Sequence, residues 1–280
     1  PCAARRLRCQ HTGDTSMTPF TYHRPRSLAD AASALAGATD GRFVAGGQSL
    51  LGAIKLGLAA PSDLVDLGAI AELRGISRSA SALRIGAGAS HASVAASADV
   101  RAAIPALAQL ADGIGDRAVR TRGTLGGSLA NNDPAACYPA GVLGLGATVV
   151  TSKRSIAADD FFRGLYETAL EPGEIITAVE FPIPEKAAWI KFKQPASRFS
   201  LVGVFVSKGA SGVRVAVTGA GAGVMRVAAL EQALAARWSP DACKAVKVSP
   251  DGLSSDLHAS AEYRAHLIGV LAARAVSAAG

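Results

Sequence analysis

The chain has 280 residues, 49% of them hydrophobic and 18% charged, and a formal net charge of +7. That length and hydrophobic content exclude a disordered chain and provide for two domains, or one domain with sub-lobes, around a sizeable core. The basic residues are dispersed, without the runs or interleaved aromatics of a nucleic-acid groove, and no apolar stretch approaches the roughly 20 residues of a membrane span, so the chain reads as a cytoplasmic protein.

Residues 1–16 carry Arg5, Arg6 and Arg8 but no apolar segment. They read as a disordered leader ahead of a start at Met17, not as a secretory or twin-arginine signal. From Phe20 the pattern changes. Ser27 stands as an N-cap with Asp30 three residues on, Leu28 and Leu35 share a face, and Gly37 ends the helix. Arg42 to Ala45 predicts a short strand, Gly46-Gly47 a tight turn and Ser49 to Leu56 a second helix, with Leu64 to Leu67 a further strand. This first lobe, residues 17–72, is β/α in character. Strand, glycine turn and helix together present free amides to an anion.

The second lobe, residues 73–181, opens with a strand over Leu83 to Ala89 and a helical turn over Ser90 to Ala98. Val100 to Leu110 reads as one helix despite Pro105, and Ile114 to Ser128 as a loop. Within Arg120 to Tyr138 the chain reads RTRGTLGGSLANNDPAACY. Gly126 and Gly127 let the main chain approach a ligand closely, and a helical turn starting near Ser128 adds its dipole. With the earlier Phe43 to Leu50 loop, this predicts a diphosphate held from two sides. Gly141 to Thr151 predicts helix into strand, Ile175 to Phe181 a strand, and Pro182 with Pro184 a boundary. Residues 182–280 form a third unit: strands over Ala188 to Lys193, Leu201 to Ser207 and Val213 to Thr218 make an antiparallel sheet, capped by helices over Ala228 to Arg237 and Tyr263 to Ala278.

Other motifs fail on spacing. Gly219-Ala-Gly221-Ala-Gly223 follows a strand, but Val224 stands where the dinucleotide fingerprint needs glycine, so it reads as a flexible turn; Gly86-Ala-Gly88 fails likewise. The cysteines, Cys2, Cys9, Cys137 and Cys243, lack the C-x-x-C spacing of a zinc or iron–sulfur site, and no metal site is expected. No catalytic acid, base or nucleophile stands out. His91 and Tyr138 are the only nearby acid–base residues, and each also fits a structural role.

The paired loops, Ala45-Gly-Gly-Gln-Ser49 and Arg120 to Ala136 (R-x-R-G-T-L-G-G-S-L-A-x-x-D-P-A-A), together with Phe192 to Arg198 and Ser260 to Arg264, resemble the FAD-binding medium subunit of the aerobic carbon monoxide dehydrogenase and xanthine dehydrogenase family of molybdenum hydroxylases. The resemblance runs from Phe20 to the C-terminus. It implies an α+β fold: a two-lobed α/β FAD-binding (PCMH-type) domain, then an antiparallel sheet with helices. It implies FAD held by Phe43, Val44, Ala45, Gly46, Gly47, Gln48, Ser49 and Leu50 and by Thr124, Leu125, Gly126, Gly127 and Ser128, with contacts from Ile114, Cys137, Ile176 and Lys193. Lys193 would lie at the flavin end, where positive charge favours the anionic reduced form. A solvated strand lysine is the other reading. Cys137 departs from the family motif, which has aspartate there, and a thiol cannot accept hydrogen bonds as a carboxylate does.

The implied role is an electron-transfer subunit. It takes electrons from a [2Fe–2S] small subunit, fed by a molybdopterin-binding large subunit, and passes them to quinone, NAD, oxygen or another acceptor, within a dimer of heterotrimers. Two rivals remain open: a self-sufficient FAD-dependent oxidase or reductase of related fold, and a nucleotide-binding protein without redox activity.

Overall fold

Short apolar runs separated by caps and glycines build the first unit as alternating strands and helices. The computed structural model describes residues 18–280 and the backbone of Arg5 and Arg6; the expected disordered leader, residues 1–16, otherwise lies outside the described residues. β1 (Arg5–Arg6) pairs antiparallel with β2 (Thr21–His23). α1 (Leu28–Ala36) begins where Ser27 Oγ accepts the Asp30 amide at 3.1 Å and ends at Gly37. β3 (Gly41–Val44), α2 (Leu50–Lys55) and β4 (Asp63–Asp66) follow. β4 runs parallel to both β2 and β3 and lies between them, so α1 and α2 serve as the crossovers that parallel pairing requires. Leu64 and Val65 point to opposite faces: Leu64 packs with Val44 and Ile54, Val65 with Ala31, Ile70 and Leu73.

The second unit begins with β5 (Ile76–Arg78) and β6 (Ala82–Gly86). A run of helices comes next: α3 (His91–Ala96), α4 (Ala98–Ala103), α5 (Pro105–Asp112), α6 (Arg117–Arg122), α7 (Leu125–Asn131) and α8 (Tyr138–Gly144). β7 (Thr148–Thr151), β8 (Ser155–Ala157), α9 (Ala158–Phe161), β9 (Phe162–Gly164), β10 (Glu167–Thr168) and β11 (Ile176–Pro182) complete it. The sheet, ordered β5-β6-β11-β7-β8, is antiparallel throughout.

Two expectations are corrected here. The single helix over Val100 to Leu110 is two, because proline pushes the preceding residue out of helical geometry: Ile104 sits at φ −142°, ψ 75°, and Pro105 restarts the helix at its first position. The loop over Ile114 to Ser128 holds α6 and the start of α7, capped by the side chains of Asp116 and Thr124.

The third sheet is β12 (Lys186–Lys193), β13 (Ser200–Gly209), β14 (Gly212–Thr218) and β15 (Met225–Arg226), antiparallel in that order. α10 (Ala228–Ala236), α11 (Pro240–Lys244) and α12 (Ala261–Ala278) accompany it. β15 and α11 are too short to announce themselves in sequence. The sheet is buried on both faces: Trp189, Phe205 and Ala216 join the core of the second unit, while Val202, Val204, Val206, Val215 and Val217 pack with α10 and α12. The third unit is therefore joined to the second by a shared core rather than a linker. The segment from Gly219 to Gly223 leads into β15 and not a helix, which removes the dinucleotide reading. It is also no flexible turn, for Gly219 (φ +80°) donates to Pro134 O at 2.8 Å, and a Cβ there would fall 2.3 Å from Ser200 O.

Among the described residues, no helix is long and apolar enough to cross a membrane. Phe205, fully buried, fills the space between β13 and α8, where a Cβ at Gly144 would meet its ring at 2.8 Å. Phe205→Ala should cost about 3–5 kcal/mol, read as a lower urea midpoint at unchanged slope.

Candidate cofactor cleft

The cleft forms where the first and second units meet, and glycines decide how closely they meet. After β3 the chain turns through Gly46 and Gly47, the latter at φ +74°. A Cβ on Gly46 would lie 2.3 Å from Arg122 O and 2.7 Å from Gly123 Cα, so this turn sits backbone-to-backbone against the end of α6. Similar closeness recurs along the second segment. A Cβ on Gly123 would fall 2.5 Å from His91 Nε2, and one on Gly126 the same distance from Ala87 Cβ.

The cavity between the two units, partly open to solvent, measures about 990 Å³. It is lined by Phe43, Val44, Ala45, Gly46, Gly47, Gln48, Ser49 and Leu50 from the first segment, by Thr124, Gly126, Gly127 and Ser128 from the second, and by Ile114, Cys137 and Ile176. Two predicted residues lie elsewhere. Leu125 is fully buried in the core behind the wall. Lys193 lines a smaller neighbouring depression with Asp112, Gly113 and Arg120. A bulge between Phe192 and Lys193 turns that side chain aside, and Lys191 stands in the cleft instead.

The two segments differ in hydrogen bonding. At the start of α7, the amides of Leu125 and Gly126 donate to Ala89 O and Ala87 O at 3.0 and 2.8 Å, that of Gly127 to Thr124 Oγ1 at 3.1 Å, and that of Ser128 to Thr124 O at 3.0 Å. Every first-turn donor is thus satisfied within the protein, contrary to the expectation of free amides there. Among the described residues, no acceptor takes the amides of Gly46, Gly47, Gln48, Ser49 or Leu50. Unsatisfied amides grouped beside glycines, on the wall of a cavity, fit an anionic oxygen-rich group.

Sequence reasoning missed part of the wall. Arg24, Arg42, Arg74 and Arg122 line the cleft and read in sequence only as dispersed surface charge. Ala87 to His91 line it too, although Gly86-Ala-Gly88 lacks the spacing of a dinucleotide fingerprint. Arg120, in the motif, faces away and pins the Ile114–Gly115 turn through hydrogen bonds of 3.1 and 3.3 Å. Glu174 also borders the cleft. Burial alone would raise its pKa, but hydrogen bonds from Arg154, the Glu171 amide and Thr151 outweigh that and hold it down to about 2.

A match to the family model described as the FAD binding domain in molybdopterin dehydrogenase covers residues 18–184. The chain belongs to that family. It is 36% identical to the nicotine 6-hydroxylase medium subunit of Paenarthrobacter nicotinovorans, over 92% of this chain and 96% of that one. It is 32% identical to the carbon monoxide dehydrogenase medium chain of Hydrogenophaga pseudoflava, over 93% and 96%. Among solved structures, carbon monoxide dehydrogenase from Oligotropha carboxidovorans superposes with a TM-score of 0.85 at 32% identity, covering 93% of this chain and 97% of that one. Quinoline 2-oxidoreductase from Pseudomonas putida gives 0.83, also at 32% identity, covering 94% and 98%. The protein is accordingly an FAD-binding oxidoreductase subunit, the medium subunit of a molybdenum hydroxylase.

This membership bears on the two acid–base candidates. Tyr138 is fully buried with no partner for its hydroxyl among the described residues, and burial, then the neighbouring Cys137, raises its pKa, so it stays protonated. His91 is 5% exposed, its Nδ1 has no partner among the described residues, and its ring packs 5.3 Å from that of Tyr138. Burial, reinforced by Arg120, lowers the His91 pKa to about 4. The imidazole is neutral when folded, while unfolded histidine titrates near 6.5. Between those values the unfolded chain binds the extra proton, so stability falls as pH drops from about 6.5 to about 4. The loss should reach on the order of 3 kcal/mol, and His91→Phe should flatten the slope of urea midpoint against pH in that window.

Proposed function

We propose that the segment from Ala45 to Leu50 receives the pyrophosphate of FAD and that the flavin end lies toward Ile114, Cys137, Ile176 and Lys191. The observation that carries this reading is the set of unsatisfied amides from Gly46 to Leu50 on the wall of a 990 Å³ cavity. A bound diphosphate oxygen accepts several such amides at once, and the cleft arginines add favourable charge. The segment from Thr124 to Ser128 then acts as a close wall: its amides are engaged, but its glycines let the ligand lie against the backbone. When bound, FAD supplies the redox chemistry, and the residues of this chain bind it, orient it and shape the surrounding charge.

The reading extends to the complex. The chain accepts electrons from a [2Fe–2S] small subunit, served by a molybdopterin-binding large subunit, and hands them to an external acceptor such as quinone, NAD or oxygen. A dimer of heterotrimers is the assembly we favour. We also take 17–72, 73–181 and 182–280 as the three structural units, each holding one of the larger sheets. The oxidase alternative requires a base at the cleft; of the two candidates read from the sequence, Tyr138 stays protonated and His91 is packed closely against Gly123, which favours the electron-transfer reading.

Two experiments test this. The purified chain should carry or take up FAD, identified by chromatography of the released flavin, and its visible flavin absorption should bleach only when the reduced iron–sulfur subunit is added. Bleaching by a small organic substrate alone would favour the oxidase. Gly46→Ala should weaken FAD binding at least about tenfold, near 1.4 kcal/mol, because its Cβ forces the two segments apart. Gly52→Ala, where an added Cβ meets nothing within 4 Å, should bind as the unaltered chain does.

A further inference from the structure

The proposed binding role sets Cys137 and Lys191 beside the flavin end but asks no bond-making of the thiol, and the fold holds that thiol against the lysine. Cys137 immediately precedes α8 and Lys191 lies on β12, so the pair joins the second unit to the third at the cleft wall. Lys191 Nζ donates to Cys137 Sγ at 3.2 Å and to Gly113 O at 3.1 Å. Ser200 Oγ lies 3.7 Å from the same sulfur. Cys137 is only 5% exposed, but both side chains line the cleft, so a small solute entering it meets sulfur and amine together. Cys243 provides an internal contrast: it is fully buried in the third unit's core and has no hydrogen-bonding partner among the described residues.

We propose that Cys137 and Lys191 form a reversible covalent bridge when hydrogen peroxide enters the cleft. The thiol takes one oxygen from peroxide, giving a sulfenic acid and one water. Lys191 Nζ, as the free amine, then attacks the sulfur. The S–O bond breaks, an S–N bond forms, and the departing hydroxyl leaves as a second water with a proton from the amine. Sulfur loses two electrons in all, and one peroxide is reduced to two waters.

The geometry favours this branch over further oxidation. An amine already at 3.2 Å attacks intramolecularly, whereas sulfinic acid requires a second peroxide to arrive from solution. Bridging would also replace a cationic donor at the cleft wall with a neutral S–N group. An aspartate at position 137, as in the family motif, offers no sulfur to oxidise, so this response would belong to chains that carry the cysteine.

The full chain, treated with excess hydrogen peroxide, quenched with catalase and digested by trypsin without reductant, tests the proposal by mass spectrometry. The expected product joins the Cys137 and Lys191 peptides, two hydrogens lighter than their sum and uncut after Lys191, and dithiothreitol restores both. Cys137→Ser should abolish it. Lys191→Arg keeps the charge but lacks the amine, so Cys137 should proceed there to sulfinic acid. Sulfinic or sulfonic acid at Cys137 in the unaltered chain, with normal cleavage after Lys191, would overturn the proposal, and so would an unmodified thiol. The readout does not depend on bound FAD, so its failure is distinct from failure of the cofactor reading.

Discussion

The contact between Gly46 and the carbonyl of Arg122 is the constraint on which the rest of the cleft depends. Two units with separate sheets must approach until their backbones touch, and a single Cβ at residue 46 would stand 2.3 Å from that oxygen. Gly123 and Gly126 extend the same closeness to His91 and Ala87, so a line of missing side chains runs from the end of β3 to the end of β6. The approach is worth its loss of packing because it sets the Gly46 to Leu50 amides on the cavity wall instead of in solvent. It also accounts for the burial of His91, whose amide donates to Gly123 O at 2.9 Å and whose ring is then enclosed.

Much of this architecture was legible because it is written locally. Ser27 with Asp30, the strand before Gly46 and the alternation of β11 through β14 each depend on neighbours in sequence, and each appears where the residues predict. What was not legible depends on tertiary partners. α6 carries three arginines and no apolar periodicity and is held by the Asp116 cap, so its text looks like loop. Both lysines of Lys191-Phe-Lys193 share a face of an ideal strand. Only a bulge, which the residues do not announce, separates the one in the cleft from the one outside it.

The two glycine segments looked equivalent in sequence, and the structure divides their labour. Thr124 and the carbonyls of Ala87 and Ala89 engage the whole first turn of α7, leaving its amides unavailable to a ligand. That engagement has a structural purpose. It docks α7 against the end of β6, holding Gly126 and Gly127 at a fixed distance from Ala45. One segment is rigid because its donors are used, and the other can bind because its donors are not.

Charge completes the division. Arg74 and Arg122 have no carboxylate partner among the described residues, and Arg42 pairs only with exposed Asp40 at 3.2 Å, an ion pair of little strength in water. Asp66, a carboxylate on the cleft wall, accepts hydrogen bonds from the Tyr22 hydroxyl at 2.5 Å and the Gly68 amide at 2.8 Å, which limits its repulsion of an anion. Basic side chains therefore outnumber carboxylates along the cleft that carries the open amides. A diphosphate entering there gains directional hydrogen bonds from the backbone and a less directional attraction from the arginines. Because the backbone donors are fixed by Gly46 and its neighbours, changes at the arginines should alter how fast and how tightly the anion is drawn in, while changes at the glycines alter whether it fits.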